Sequence, residues 1–142
     1  MTHTRAGESL LAGNGVGLVR ERALATAVQG ALERLYQLDR VVDVHAFMRP
    51  AEEGEREALL VRETDDGLEM ALRVPQLVGE AKLDPMCQII EGVSHFVYLA
   101  HRAHTEREAT QLEMELRAEV DKYVVLADSM AKIGRASCRE RV

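Results

Sequence analysis

The sequence predicts an α+β fold: an N-terminal helix, a three-stranded antiparallel meander, then two long helices packed on the sheet. Three observations carry that prediction. Apolar residues recur every three or four positions in residues 18–38 and again after residue 84, the period of a helix with one buried face. Between them the period drops to two, as in strands. An Asp66-Gly67 pair sits between two such runs, where a tight hairpin turn belongs.

Residues 1–17 are polar and glycine-rich and are expected to form a loose arm. Gly13, Gly15 and Gly17 match no phosphate-loop spacing, and no predicted strand precedes them. In the first helix Leu24, Ala27, Val28, Ala31, Leu32, Leu35 and Leu38 form the apolar face, opposite Arg20, Gln29, Glu33 and Arg34. Residues 41–48, VVDVHAFM, alternate Val42, Val44, Ala46 and Met48 with Asp43, His45 and Phe47, which predicts a strand. Pro50 and Gly54 then mark a turn.

The Asp66-Gly67 pair predicts a type I′ turn, since Gly takes positive φ freely and Asp tolerates it. Beyond it Leu68, Met70, Leu72 and Val74 alternate with Glu69, Ala71 and Arg73, giving one dry face and one wet face. Asp43, His45, Glu69 and Arg73 are expected on the wet side.

Asp84 and Pro85 suit the start of a helix, as N-cap and first-turn proline. Its apolar face is unusually wide, centred on Met86, Ile89, Ile90, Val93, Phe96, Val97 and Ala100, so contact with both a sheet and another helix is expected. A last helix is expected from Thr105, with Glu108 completing a capping box. Ala109, Leu112, Leu116, Val120, Tyr123, Ala127 and Met130 would point inward.

The final ten residues, IGRASCRERV, break that pattern. Reverse translation as ATC GGA AGA GCG TCG TGT AGG GAA AGA GTG reproduces one frame of a short-read sequencing adapter. Residues 133–142 are therefore read as a non-native tail, and residues 18–132 as a single α+β domain truncated in its last helix.

The formal net charge of −6 includes a net positive contribution from that tail, so the rest of the chain is more acidic still. Such a balance argues against nucleic-acid binding, which needs a basic footprint. Cys87 is the one cysteine outside the tail, which fits a reducing, cytoplasmic setting. No apolar run approaches the ~18 residues of a membrane span.

Chemistry-bearing residues are sparse. Glu91 and His95 share one helix face, as do Glu115 and Glu119, and an antiparallel helix pair would bring the two sets level. Three carboxylates and an imidazole could bind a divalent metal, although Glu119 falls within the apolar stripe. Lys122 or Arg102 could instead pair with Glu119 as a structural contact. His101 and His104 have a zinc-compatible spacing but no matching third ligand, and suit the helix C-terminus electrostatically. Cys87 lacks a partner cysteine, and the adjacent Ser94 and His95 point apart on a helix.

The function expected is thus a protein-interaction or scaffold module, self-associating or bound to a protein partner, with no cofactor. Its docking face would be Met86, Ile89, Ile90, Val93, Phe96 and Val97. The alternative is a metal-dependent enzyme using Glu91, His95, Glu115 and Glu119.

Overall fold

A computed structural model describes residues 3–6, 17–79 and 83–140, with the backbone alone described at 3–6 and 130–140. The fold is α+β. Its elements in order are β1 (His3–Ala6), α1 (Val19–Tyr36), a 3₁₀ turn (Val44–Phe47), β2 (Met48–Pro50), β3 (Ala58–Thr64), β4 (Gly67–Val74), α2 (Leu83–His104) and α3 (Gln111–Glu140).

β4 is the centre of the sheet. β3 pairs with it antiparallel from Ala58↔Arg73 to Thr64↔Gly67, filling one edge over its length. β1 and β2 both run parallel to β4, at His3↔Gly67 through Ala6↔Met70 and at Met48↔Leu72 through Pro50↔Val74. Since β3 holds one edge, β1 and β2 share the other end to end. The sheet is therefore mixed, where the sequence suggests a purely antiparallel meander. The expected loose arm contributes β1; residues 7–16 lie outside the described residues.

The strand expected over 41–48 does not form. Gln29, assigned by pattern to the polar face of α1, is buried and reaches across to this segment. Its Nε2 donates to the Val42 carbonyl at 2.7 Å, and the Val44 N–H donates to its Oε1 at 2.9 Å. The side-chain amide thus takes backbone groups that a sheet ladder would use. A 3₁₀ turn follows, burying Val44 and Phe47, and only Met48–Pro50 joins the sheet.

The hairpin forms, shifted by one residue. Thr64↔Gly67 is the closing pair, so Asp65 and Asp66 are the central residues. Neither has positive φ, which excludes type I′; Gly67 alone takes it, at 127°. Placing the left-handed residue at Gly spares Asp the cost of that conformation. Thr64 Oγ1 donates to the Gly67 carbonyl at 3.1 Å and braces the turn.

Met70, Leu72 and Val74 are fully buried, with Leu68 partly so, forming the dry face of β4. The other face is not wet at its centre: Ala71 and Glu69 are buried as well, with Glu69 ion-paired to Arg62 across the β3–β4 register. Asp43 and His45 are exposed as expected.

α2 lies on the dry face. Gly92 allows a close approach, since an added Cβ would stand 2.8 Å from a Leu72 methyl carbon. Ile89, Ile90, Val93 and Phe96 join the core with Met70, Leu72 and Val74, and Phe47 packs on Phe96 with ring centroids 5.1 Å apart. α1 and α3 both pack beside α2 as well. The breadth of its apolar face reflects contact with sheet and helices together.

That burial corrects the docking face expected on α2. Ile89, Ile90, Val93 and Phe96 are inside the chain's own core, and Met86 and Val97 are partly buried against it. They hold the fold together and are not offered to a partner.

Among the described residues, no helix is long and apolar enough to cross a membrane.

Candidate functional site: the two faces of the last helix

α3 begins at Gln111, later than the sequence suggests, because Thr110 and not Thr105 is its cap. Thr110 Oγ1 accepts the Glu113 N–H at 3.2 Å, while the Thr105 hydroxyl donates back to the His101 carbonyl at 2.9 Å. The pattern T-x-x-E occurs at 105–108 and at 110–113; tertiary contacts decide between them. Glu113 also accepts from Tyr98 Oη at 3.0 Å and Arg102 at 2.5 Å, which fixes this end of α3 on α2.

The helix is inverted relative to expectation. At about 100° per residue, Met114, Ala118, Asp121 and Val125 share one side. That is the side against the body: Ala118 and Asp121 are buried, Met114 and Val125 partly so. Diametrically opposite lie Leu112 at 71% exposure, Leu116 at 60%, Val120 at 56% and Tyr123 at 75%. The stripe expected to point inward faces solvent.

Polar anchors explain the choice. Asp121, 1% exposed, accepts from Ser94 Oγ of α2 at 2.6 Å and from the Tyr36 hydroxyl of α1. Burial, then the hydrogen bond and charge of Asp121, raise the Tyr36 hydroxyl above its ordinary pKa. Arg117, one turn before Asp121, stacks its guanidinium 3.8 Å from the Tyr36 ring centroid. A buried carboxylate costs several kcal/mol unless satisfied; here both oxygens are engaged, and the acceptor binds three helices together. Turning the helix over would strand Asp121 away from its hydroxyl donors.

The four residues considered as metal ligands do not converge. Lys122 stands between Glu91 and Glu119, donating to them at 2.6 and 3.1 Å. His95 Nε2 is buried without a hydrogen-bond partner, 3.7 Å from Glu115 Oε2. Glu119 lies on the exposed rim of α3, held by Lys122 as a structural contact. No cluster of three or more His, Cys, Asp or Glu side chains suited to a metal occurs among the described residues.

Sequence reasoning missed Glu57, Tyr36 and Asp121, and weighed Ser94 only against His95 and not against Asp121, its partner. Glu57 lies at the entry to β3 beside Glu91; burial first, and then its neighbour Glu91, push its pKa from 4.5 to about 7. Burial also acts to raise Glu91, but hydrogen bonds from Lys122 and from Glu57 outweigh it and hold Glu91 low. Glu91 and then Glu119 raise Lys122 in turn. A perturbed carboxyl can mark a catalytic site, yet Glu57 lines none of the described hollows, and its Oε2 is buried without a hydrogen-bond partner. At the end of α2, burial and the nearby arginines, Arg117 foremost, lower His101. Cys87 is half-buried and unpaired by any disulfide.

The exposed stripe of α3 borders two hollows. One, of about 430 Å³, lies between Tyr36, Leu112, Leu116 and Val120. The other, of about 820 Å³, runs between α1 and α3 past Leu24, Ala31, Leu35 and Val124. α1 adds to this surface because its inward face is turned toward Gln29 and Glu21, leaving Ala27 and Leu35 exposed. Glu21 is used inside, its Oε2 accepting the Leu77 N–H at 3.3 Å.

No family model, curated protein or solved structure matches this chain.

Proposed function

We propose that the chain is a non-enzymatic protein-interaction module that docks through the outward face of α3 and the adjoining side of α1. One observation carries the reading: Leu112, Leu116, Val120 and Tyr123 stand in line, each more than half exposed, while Asp121 on the opposite side of the same helix is buried. Each such side chain gains about 1–2 kcal/mol when covered. A contiguous apolar face of this kind, bordered by charge, is characteristic of a protein-docking surface. A cytoplasmic setting is part of the proposal and rests on Cys87 as the one cysteine upstream of residue 133.

Hydroxyl-radical footprinting tests it. Leu112, Leu116 and Tyr123 should be protected from oxidation in cells expressing the protein, relative to dilute purified protein. Equal labelling in both would remove the reading.

A further inference from the structure

We infer that the occupant of this face is a second copy of the same chain, its α3 packed antiparallel on the first about a two-fold axis between Glu119 and Val120. The inference rests on the interaction reading above and names its partner.

Self-complementary spacing is the first reason. Under a two-fold axis at that point, Leu112 faces Ala127 of the other copy and Leu116 faces Tyr123. Both contacts are made twice, as an isologous interface requires. Leu112 against Ala127 sets a large side chain over a small one, while Leu116 against Tyr123 brings two large ones together. The stripe is also straight: Leu112, Leu116, Val120, Tyr123 and Ala127 span a narrow arc at 100° per residue.

A projection and a matching hollow are the second reason. Tyr123 is the most exposed apolar side chain of the stripe. Its antiparallel counterpart, Leu116, lines the hollow of about 430 Å³ beside Tyr36 and Leu112. Each copy presents both the ring and the space it enters, and a rigid aromatic in a pocket is a usual interface anchor.

Charge permits the pairing. Glu119, at the axis, would meet its own copy, but each Glu119 already carries Lys122 at 3.1 Å. Because Lys122 is shared with Glu91 at 2.6 Å, it lessens the repulsion between the two Glu119 side chains without cancelling it. Antiparallel helices also oppose their macrodipoles favourably.

Area is sufficient. Leu112, Leu116, Val120, Tyr123, Val124 and, from α1, Leu35 expose roughly 600 Å² of apolar surface per copy, against the ~800 Å² per partner of a standard interface. Arg34, Glu115 and Glu119 at the edges supply a polar rim.

Sedimentation velocity on the full chain, with a cysteine test of register, decides the matter. The protein should be a dimer at about 100 µM and dissociate on dilution. Tyr123→Arg and, independently, Leu116→Asp should weaken dimerisation at least tenfold while the circular dichroism spectrum stays unchanged. In a Cys87→Ser, Cys138→Ser background, Leu112→Cys combined with Ala127→Cys should form interchain disulfides. Either change alone should not, since like positions would be about 22 Å apart along the helix at 1.5 Å per residue. A monomer at 100 µM, a dimer indifferent to both substitutions, or single cysteines that cross-link as readily would overturn the inference. A purified monomer whose α3 face is nevertheless protected in cells would defeat the second copy and leave the interaction reading standing; without protection, both fall.

Discussion

α2 and α3 are both long amphipathic helices, and they use their apolar sides in opposite ways. α2 turns Ile89, Val93 and Phe96 into the core against β4. α3 turns Leu112, Leu116, Val120 and Tyr123 outward and settles on the body through Ala118 and Asp121. The difference teaches that an apolar stripe identifies a face that is better covered, without saying what covers it. On α2 the cover is the chain's own sheet. On α3, satisfying one buried carboxylate from two helices determines the orientation.

The sharpest way to break this comparison is to delete an apolar side chain from each helix. Phe96→Ala should lower unfolding free energy by about 3–5 kcal/mol, because a fully buried ring leaves a cavity beside Phe47 and the sheet. Urea titration of dilute protein checks it; a loss below about 1 kcal/mol would mean that α2 is not the core helix.

Next in size is the polar anchor. Asp121→Ala should cost about 2–3 kcal/mol by stranding the Ser94 and Tyr36 hydroxyls in a buried contact. Hydrogen exchange should quicken along α3 well before it changes in β4. Uniform acceleration across the chain would show that Asp121 does not locate α3 in particular.

A smaller effect, of order 1 kcal/mol, is expected from Glu57→Gln, and it depends on pH. Glu57 has a folded pKa of about 7 against an ordinary 4.5, so the native state holds its proton more tightly than the unfolded chain. That contribution is complete below pH 4.5 and is lost as pH rises to about 7. Glu57→Gln should therefore flatten the fall in stability over this window and leave the variant the more stable protein at pH 8. An unchanged pH slope in chemical denaturation would refute the assignment. Glu91, held low, acts in the opposite sense: its contribution is present above the ordinary carboxylate range and disappears in acid.

The smallest effect belongs to the outward stripe. Leu116→Ala should change monomer stability by no more than about 0.5 kcal/mol in dilute solution, since the side chain is mostly solvent-exposed there. A loss of 2 kcal/mol would place Leu116 inside and reverse the orientation of α3.

Much of the fold was legible because local signals and tertiary use agree. The β3–β4 hairpin, the burial of Met70, Leu72 and Val74, and the existence of α1, α2 and α3 follow from period and turn chemistry. Several of the failures share one cause: polar side chains that act at long range. Gln29 captures residues 42–44 and replaces a strand with a turn. Asp121 fixes α3 with its alternate face inward. Thr110 prevails over Thr105 because Glu113 can reach Tyr98 and Arg102 from there. The spacing of Glu119 and Lys122 did point to their pairing, but not to the second contact that Lys122 makes with Glu91 of α2. A signal for Asp121 did exist, in the second seam of Met114, Ala118, Asp121 and Val125, but the more apolar stripe outweighed it.

By itself, the sequence determined which segments become helices and hairpin strands, since backbone preference and side-chain period act over a few neighbouring residues. The tertiary structure alone decided which side of α3 faces inward, although the apolar face of α2 could be read from its period. A buried hydrogen-bond acceptor must find its donors wherever the fold brings them, here 27 and 85 residues away along the chain, and that distance is invisible to any local pattern.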